Sequence, residues 1–229
     1  MLGEMPVIHP AFTRADFAAV FGPRSPRPWM TWLLTGAILA VYVAQLAGER
    51  HGVDRVGTAL AFGPEAWARH RYWTLLTYAF AHAVPSPSVP AYAGFHLVTN
   101  VVPLFCLAPA VERCCGPWRL LLLFLASAAG SALAWYAWHP PPQDAMIGAS
   151  GALFAVIAAG GTLDLHLICA DLVVVRLPLR LDYRLAAIVL GLFELAQMFF
   201  HQLGGVAHIA HLGGALVGVL FALTLVRAR

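Results

Sequence analysis

The chain has 229 residues, of which 60% are hydrophobic and only 11% charged. Soluble globular domains carry about twice that charged fraction, so the long uncharged runs exclude a soluble class and indicate a polytopic membrane protein. The formal charge of +3 comes from fourteen Arg, with no Lys, against eleven acidic residues, too small a surplus to indicate nucleic-acid binding.

Residues 1–28 form a mixed polar segment in which Pro23, Pro26 and Pro28 discourage structure, and Arg24 and Arg27 precede the first apolar run. Met1 to Gly22 carries charges of both signs and lacks the apolar core of a signal peptide. The first predicted span covers 29–47. Gly48 to Arg71 mixes charges with Leu60, Phe62 and Trp67; it reads as an interfacial segment anchored by aromatic rings, with an ordinary extramembrane loop as the alternative. Tyr72 to Val111 contains no charged residue but is broken by Pro85, Pro87 and Pro90. It divides into an apolar approach over 72–82, a loop over 83–91 and a second span over 93–112, which Pro103 is expected to kink.

The third span, 117–138, ends in the aromatic belt of Trp135, Tyr136 and Trp138, followed by a tight turn over 139–144. The fourth, 150–166, opens at Ser150. An amphipathic link, Arg176 to Arg184, leads to the fifth span, 185–201, which contains Glu194. A short link with Gly204 precedes the sixth, 205–226, and residues 227–229 form the tail. Cys106, Cys114, Cys115 and Cys169 show no CxxC spacing, so free thiols are expected. The predicted class is an all-α polytopic membrane protein, a compact six-helix bundle with an interfacial first loop.

Six spans put both termini on one side. That side collects ten arginines, including Arg14, Arg113, Arg176 and Arg227, whereas the other has Arg50, Arg55, Arg69 and Arg71. Both termini are therefore expected in the cytoplasm, with the protein in the cell inner membrane. The second, fourth and sixth spans then begin at the outer face.

Those three spans carry polar groups that hydrocarbon tolerates poorly. Ser150 sits in Gly148-Ala-Ser-Gly151 at the mouth of the fourth, where small neighbours leave the hydroxyl unobstructed; helix packing is the alternative use of such residues. His208 and His211 lie in the sixth, and His96 and Asn100 share a face of the second, one turn apart. Gly214 and Gly218 form a GxxxG that lets the sixth span approach the fourth, bringing a histidine within reach of Ser150. His211 adjoins the glycines and is the expected base; His208 reads as a capping or water-facing residue. A neutral imidazole suits proton abstraction from a serine, while His96, Asn100 and the Ser150 N–H suit a developing oxyanion. Asp144 and Glu194 are the nearby acids, and neither has a spacing that orients His211, so the residues indicate a Ser–His dyad.

The pattern resembles the rhomboid family of intramembrane serine proteases over residues 30–226. Gly148-Ala-Ser-Gly151 is similar to the family's GxSG, which implies Ser150 as nucleophile, with Gly148 and Gly151 supporting it. Ala210-His-Leu-Gly-Gly214 is similar to the AHxGG-like motif, which implies His211 as base and Gly214 as a supporting residue. His96-Leu-Val-Thr-Asn100 is similar to HxxxN, the oxyanion pair. Glu112 followed by Gly116 resembles the family's acidic turn, and Phe154 falls where an aromatic ring often faces the histidine. Two departures stand out: Trp73-Thr74 replaces a usual Trp-Arg, leaving Arg69 or Arg71 as substitutes, and a proline-rich insert, 84–92, separates His82 from His96.

The resemblance implies membrane-protein substrates, single-span or polytopic, met in the lipid bilayer, with no cofactor, metal, nucleic acid or obligate protein partner. Two other readings stand beside it. One is an inactive relative that binds membrane helices as adaptor or chaperone, which loss of the serine or histidine would mark, and both are present. The other is a zinc site of His96, His208, His211 and Glu194; zinc accepts such ligands, but no HExxH is present. A small transporter would require an internal repeat that the sequence does not display.

Overall fold

Pro28 starts helix α1 (Trp29–Arg50), which has no capping side chain of its own. The missing acceptor comes from Glu112, near the end of α5 (Gly94–Cys115). Its carboxylate accepts the Met30 N–H at 3.0 Å, the Thr31 N–H at 2.8 Å and the Thr31 hydroxyl at 2.7 Å. An anion at a helix N-terminus satisfies orphan donors and complements the dipole, and these bonds make burial of Glu112 tolerable.

The computed structural model describes residues 27–51, 55–85, 94–138, 144–167, 170–172, 175–177, 181–200 and 208–227. Most of the 84–92 insert, most of the 139–144 turn, residues 1–26 and the start of the sixth predicted span lie outside them. Helix α5 continues through both Pro103 and Pro109. Gly116, at φ +92°, ends it, and its N–H returns to the Glu112 carbonyl at 2.7 Å. Pro117 then starts α6 (Pro117–Ala137), giving the stop-and-start pairing of a glycine beyond one helix and a proline inside the next.

Between α1 and α5 lie three short helices, α2 (Arg55–Leu60), α3 (Pro64–Ala68) and α4 (Thr74–Thr77), and a 3-10 turn at Tyr78–Phe80. Phe62 is fully buried, edge-on to Trp67 and Trp135 at 6.3 and 6.1 Å. Its backbone also exchanges bonds of 3.1 and 2.7 Å with Met146, tying this loop to the segment that leads into Ser150. Arg71 donates to the Thr58 carbonyl at 3.1 Å, while the buried Thr74 hydroxyl donates to the Arg71 carbonyl at 2.6 Å. Arg71 therefore holds the loop, whereas Arg69 makes a surface pair with Glu65. Gln45 clamps the backbone of His82, donating to its carbonyl and accepting its N–H, each at 3.0 Å.

Helix α7 (Ser150–Thr162) is apolar all round and nearly enclosed, the pattern of a central helix. It stops short of the predicted 166. Gly160 and Gly161 weaken its end, and Asp164, at φ +57°, turns the chain and pairs with Arg184 at 2.9 Å. The link that reads as amphipathic contains two short antiparallel ladders, β1 (His166–Leu167) with β4 (Leu181–Asp182) and β2 (Ala170–Leu172) with β3 (Val175–Leu177). Helices α8 (Tyr183–Phe200) and α9 (His208–Arg227) complete the bundle. Tyr183 donates to the Leu107 carbonyl at 2.7 Å, joining α8 to α5.

Large apolar side chains remain exposed around the outside, among them Val43, Phe95, Leu122, Leu192 and Leu216. A soluble monomer rarely displays so extensive an apolar surface; lipid covers it here. Four described helices, α1, α5, α6 and α9, are long and apolar enough to cross a bilayer. The protein is a multi-pass, all-α membrane bundle.

Candidate active site

The close approach of α9 to α7 depends on absent side chains. A Cβ on Gly214 would collide with the Gly151 carbonyl oxygen, and one on Gly218 with the Ala155 carbonyl oxygen. Backbones that pack so closely bring together groups at the same level. Ser150, the first residue of α7, lies 2.8 Å by its Oγ from His211 Nε2 on the first turn of α9. Phe154, one turn beyond Ser150, stacks on the His211 imidazole at 4.6 Å with only 7° between the planes. That stack restricts the ring to the plane in which Nε2 faces the serine.

Gly148 bends the chain into α7 with φ +113°, a region unfavourable for other residues. A Cβ there would also lie 2.8 Å from His96 Nε2, so glycine lets that ring stand beside the entrance to the helix. His96 Nδ1 accepts the Ala83 N–H over a long 3.4 Å. With Nδ1 as acceptor, the ring proton resides on Nε2, on the side of Gly148. Asn100 donates to the His96 carbonyl at 2.8 Å, and its buried Oδ1 has no partner among the described residues.

A cavity of about 820 Å³ joins these groups, lined by His96, Asn100, Gly148, Ser150, Phe154 and His211. It falls within the size range of small-molecule and peptide-binding clefts. Ser150, His211, His96, Gly148 and Phe154 thus face one space, while Gly151 and Gly214 form the helix contact behind it.

A rhomboid-domain family model matches residues 69–228, well over half of the chain. The chain belongs to the rhomboid family. It is also 31% identical over 150 residues to the rhomboid protease GluP of Bacillus subtilis (strain 168). That similarity covers 64% of this chain but only 26% of the Bacillus protein, so this rhomboid chain corresponds to about a quarter of that relative.

Two residues near the site of this rhomboid chain receive no role from its motifs. His82, fully buried in the first loop, accepts the Ala149 N–H through Nε2 at 3.4 Å and lies 5.1 Å from the His96 ring. Burial, and secondarily neighbouring His96, hold its pKa down to about 4, so it is a neutral acceptor at physiological pH. The other is Glu194. The sequence finds no acid aligned with His211, yet α8 brings this carboxylate against α9, with Oε2 at 2.5 Å from His208 Nδ1 and Oε1 at 2.9 Å from His211 Nδ1. The second contact lies off the direction of a straight N–H bond. His208, which reads as capping or water-facing, is instead paired and only 10% exposed along its side chain.

Proposed function

We propose that this rhomboid chain is an intramembrane serine endopeptidase that cuts single-span or polytopic membrane proteins near the outer membrane face. The observation that carries this reading is the 2.8 Å contact between Ser150 Oγ and His211 Nε2. A serine hydroxyl becomes an effective nucleophile when a neighbouring imidazole takes its proton. Ser150 Oγ attacks the scissile carbonyl carbon as its proton passes to His211 Nε2. The oxyanion meets His96 Nε2–H, the Asn100 amide and the Ser150 N–H at the N-terminus of α7. The C–N bond then breaks, and His211 returns the proton to the leaving amine. Water attacks the resulting ester and gives its proton to His211; the acid leaves, and Ser150 Oγ is reprotonated. The residues suffice without cofactor, metal or obligate protein partner.

Helix length supports the depth of cleavage. Thirteen residues of α7 extend about 20 Å, against about 30 Å of hydrocarbon. With Thr162 at the inner boundary, Ser150 lies about 10 Å below the outer one, in a cavity that admits water. Arginine asymmetry, ten against four, supports cytoplasmic termini in an inner membrane. A reporter at residue 229 that is active only on the outer side would contradict that orientation. A substrate helix hides its carbonyls in its own hydrogen bonds, so cut sites are expected where Gly, Ala or Pro weakens its outer end.

The test is cleavage of a model single-span substrate in liposomes. Ser150→Ala and His211→Ala should each stay folded and lose cleavage. Product at the wild-type rate from Ser150→Ala would end the serine-protease reading.

A further inference from the structure

We propose that Glu194 is the positioning acid of His211, and that it orders His208 and His211 as one hydrogen-bonded unit. This rests on the serine-protease reading and extends it from two residues to a connected array. The starting observation is burial: Glu194 is 4% exposed on a helix from which Leu185, Ile188, Leu192 and Phe193 face outward. A carboxylate at such a place is tolerated when its oxygens have partners. Both oxygens have one, and both partners are histidine Nδ1 atoms, at 2.5 and 2.9 Å.

The nitrogen that Glu194 meets decides what it can do. His211 presents Nε2 to Ser150 and Nδ1 to Glu194. A carboxylate keeps a proton on the nitrogen it faces, which leaves the other nitrogen as a lone pair. With the proton held on Nδ1, Nε2 can accept the one that leaves Ser150. The opposite tautomer would place a hydrogen on Nε2 and leave the serine without a base. Once His211 is protonated, the same carboxylate stabilises the imidazolium.

The 2.9 Å approach is not yet aligned as a hydrogen bond. The Phe154 ring lies parallel to the imidazole and permits sliding within the plane while resisting tilt. A small in-plane movement closes the bond without disturbing the stack. His208, through the shorter contact, anchors the carboxylate against α9.

Distance also separates this array from a metal site built of the same three residues. Zinc bonds of about 2.0–2.2 Å in a tetrahedral site hold ligand atoms about 3.3 Å apart. The observed separations, 2.5 Å to His208 and 2.9 Å to His211, are both shorter, and the first is that of two atoms sharing a proton.

The experiment compares the full chain with Glu194→Gln and Glu194→Asp in liposomes, measuring kcat, KM and labelling of Ser150 by a fluorophosphonate. Glutamine offers an oxygen to only one histidine and an NH2 to the other, so one ring must change tautomer. Expected are a fall in kcat from about tenfold towards the roughly 10^4-fold of a soluble triad, a KM within about twofold, and partial recovery with aspartate. Histidine 15N spectra of the unaltered protein should assign the His211 proton to Nδ1, which tests the idea whether or not the variants fold. A proton on Nε2, a wild-type kcat in folded Glu194→Gln, or stoichiometric zinc whose removal abolishes activity would each overturn the proposal. Ser150→Ala run in parallel separates the two levels: cleavage that persists there removes the serine reading itself, whereas Ser150-dependent cleavage indifferent to Glu194→Gln removes only the role of the acid.

Discussion

Gly214→Ala tests whether helix packing sets the chemistry. The added Cβ would run into the Gly151 carbonyl oxygen and lie 2.8 Å from Ser131 Oγ, whereas real Cβ contacts essentially never fall below 3.0 Å. Helices α7 and α9 must therefore separate by about 1 Å at this level, and overpacking of this kind costs about 1–3 kcal/mol. Ser150 is adjacent to Gly151 and His211 is one turn before Gly214, so both move with the contact. The 2.8 Å bond between them opens to about 3.8 Å, outside hydrogen-bonding range. A misplacement of this size costs about 10^2-fold in rate. The assay is the rate of Ser150 labelling by a fluorophosphonate in detergent, read beside thermal unfolding of the same sample. Gly218→Ala is the companion: its Cβ meets the Ala155 backbone one turn farther from the pair, so stability should fall comparably while labelling falls less. Folded Gly214→Ala that labels at the wild-type rate would refute the reasoning.

Glu112→Ala removes three bonds from the start of α1, and the lost cap should lower stability by about 2–4 kcal/mol, read as thermal unfolding in detergent, with little change in activity per folded molecule. His82 titrates near 4 in the fold against about 6.5 unfolded, so the unfolded chain binds more protons between those values. Its contribution, at most about 3 kcal/mol, is complete above pH 6.5 and is lost as pH falls towards 4; unfolding curves across that window should be flatter for His82→Gln. In the proposed oxyanion pair, Asn100 already donates to the His96 carbonyl and must turn to reach an oxyanion, whereas His96 Nε2 already stands beside Gly148. His96→Ala should therefore lower kcat more than Asn100→Ala, with about 2.7–4 kcal/mol as the upper bound for one donor, measured at saturating substrate. Unchanged turnover in both would remove them from the site.

Much of this protein follows from local chemistry along the chain. Apolar runs interrupted by Pro, Gly and charge determine an all-α membrane bundle, because a spanning backbone must satisfy itself within each helix. Gly116-Pro117 marks a helix junction whose geometry depends on adjacent residues. The rhomboid resemblance was legible for the same reason: Gly148-Ala-Ser-Gly151, His96 to Asn100 and Ala210 to Gly214 are short segments whose spacing carries their meaning.

Tertiary structure decided what depends on which faces meet. Glu112 caps a helix 81 residues earlier in the chain, and no local pattern links it to Thr31. His82 accepts from Ala149, 67 residues away in the chain, while Gln45 holds its backbone in place. The helix that reads as extending to 166 ends at Thr162 because Asp164 finds Arg184 after an intervening pair of ladders. Glu194 is the clearest case. In sequence it is an isolated acid in an apolar span, with no spacing that ties it to His208 or His211. The rotation of α8 about its axis directs that carboxylate inward, and a contact between two helices can turn an unfavourable buried charge into a partner for both histidines.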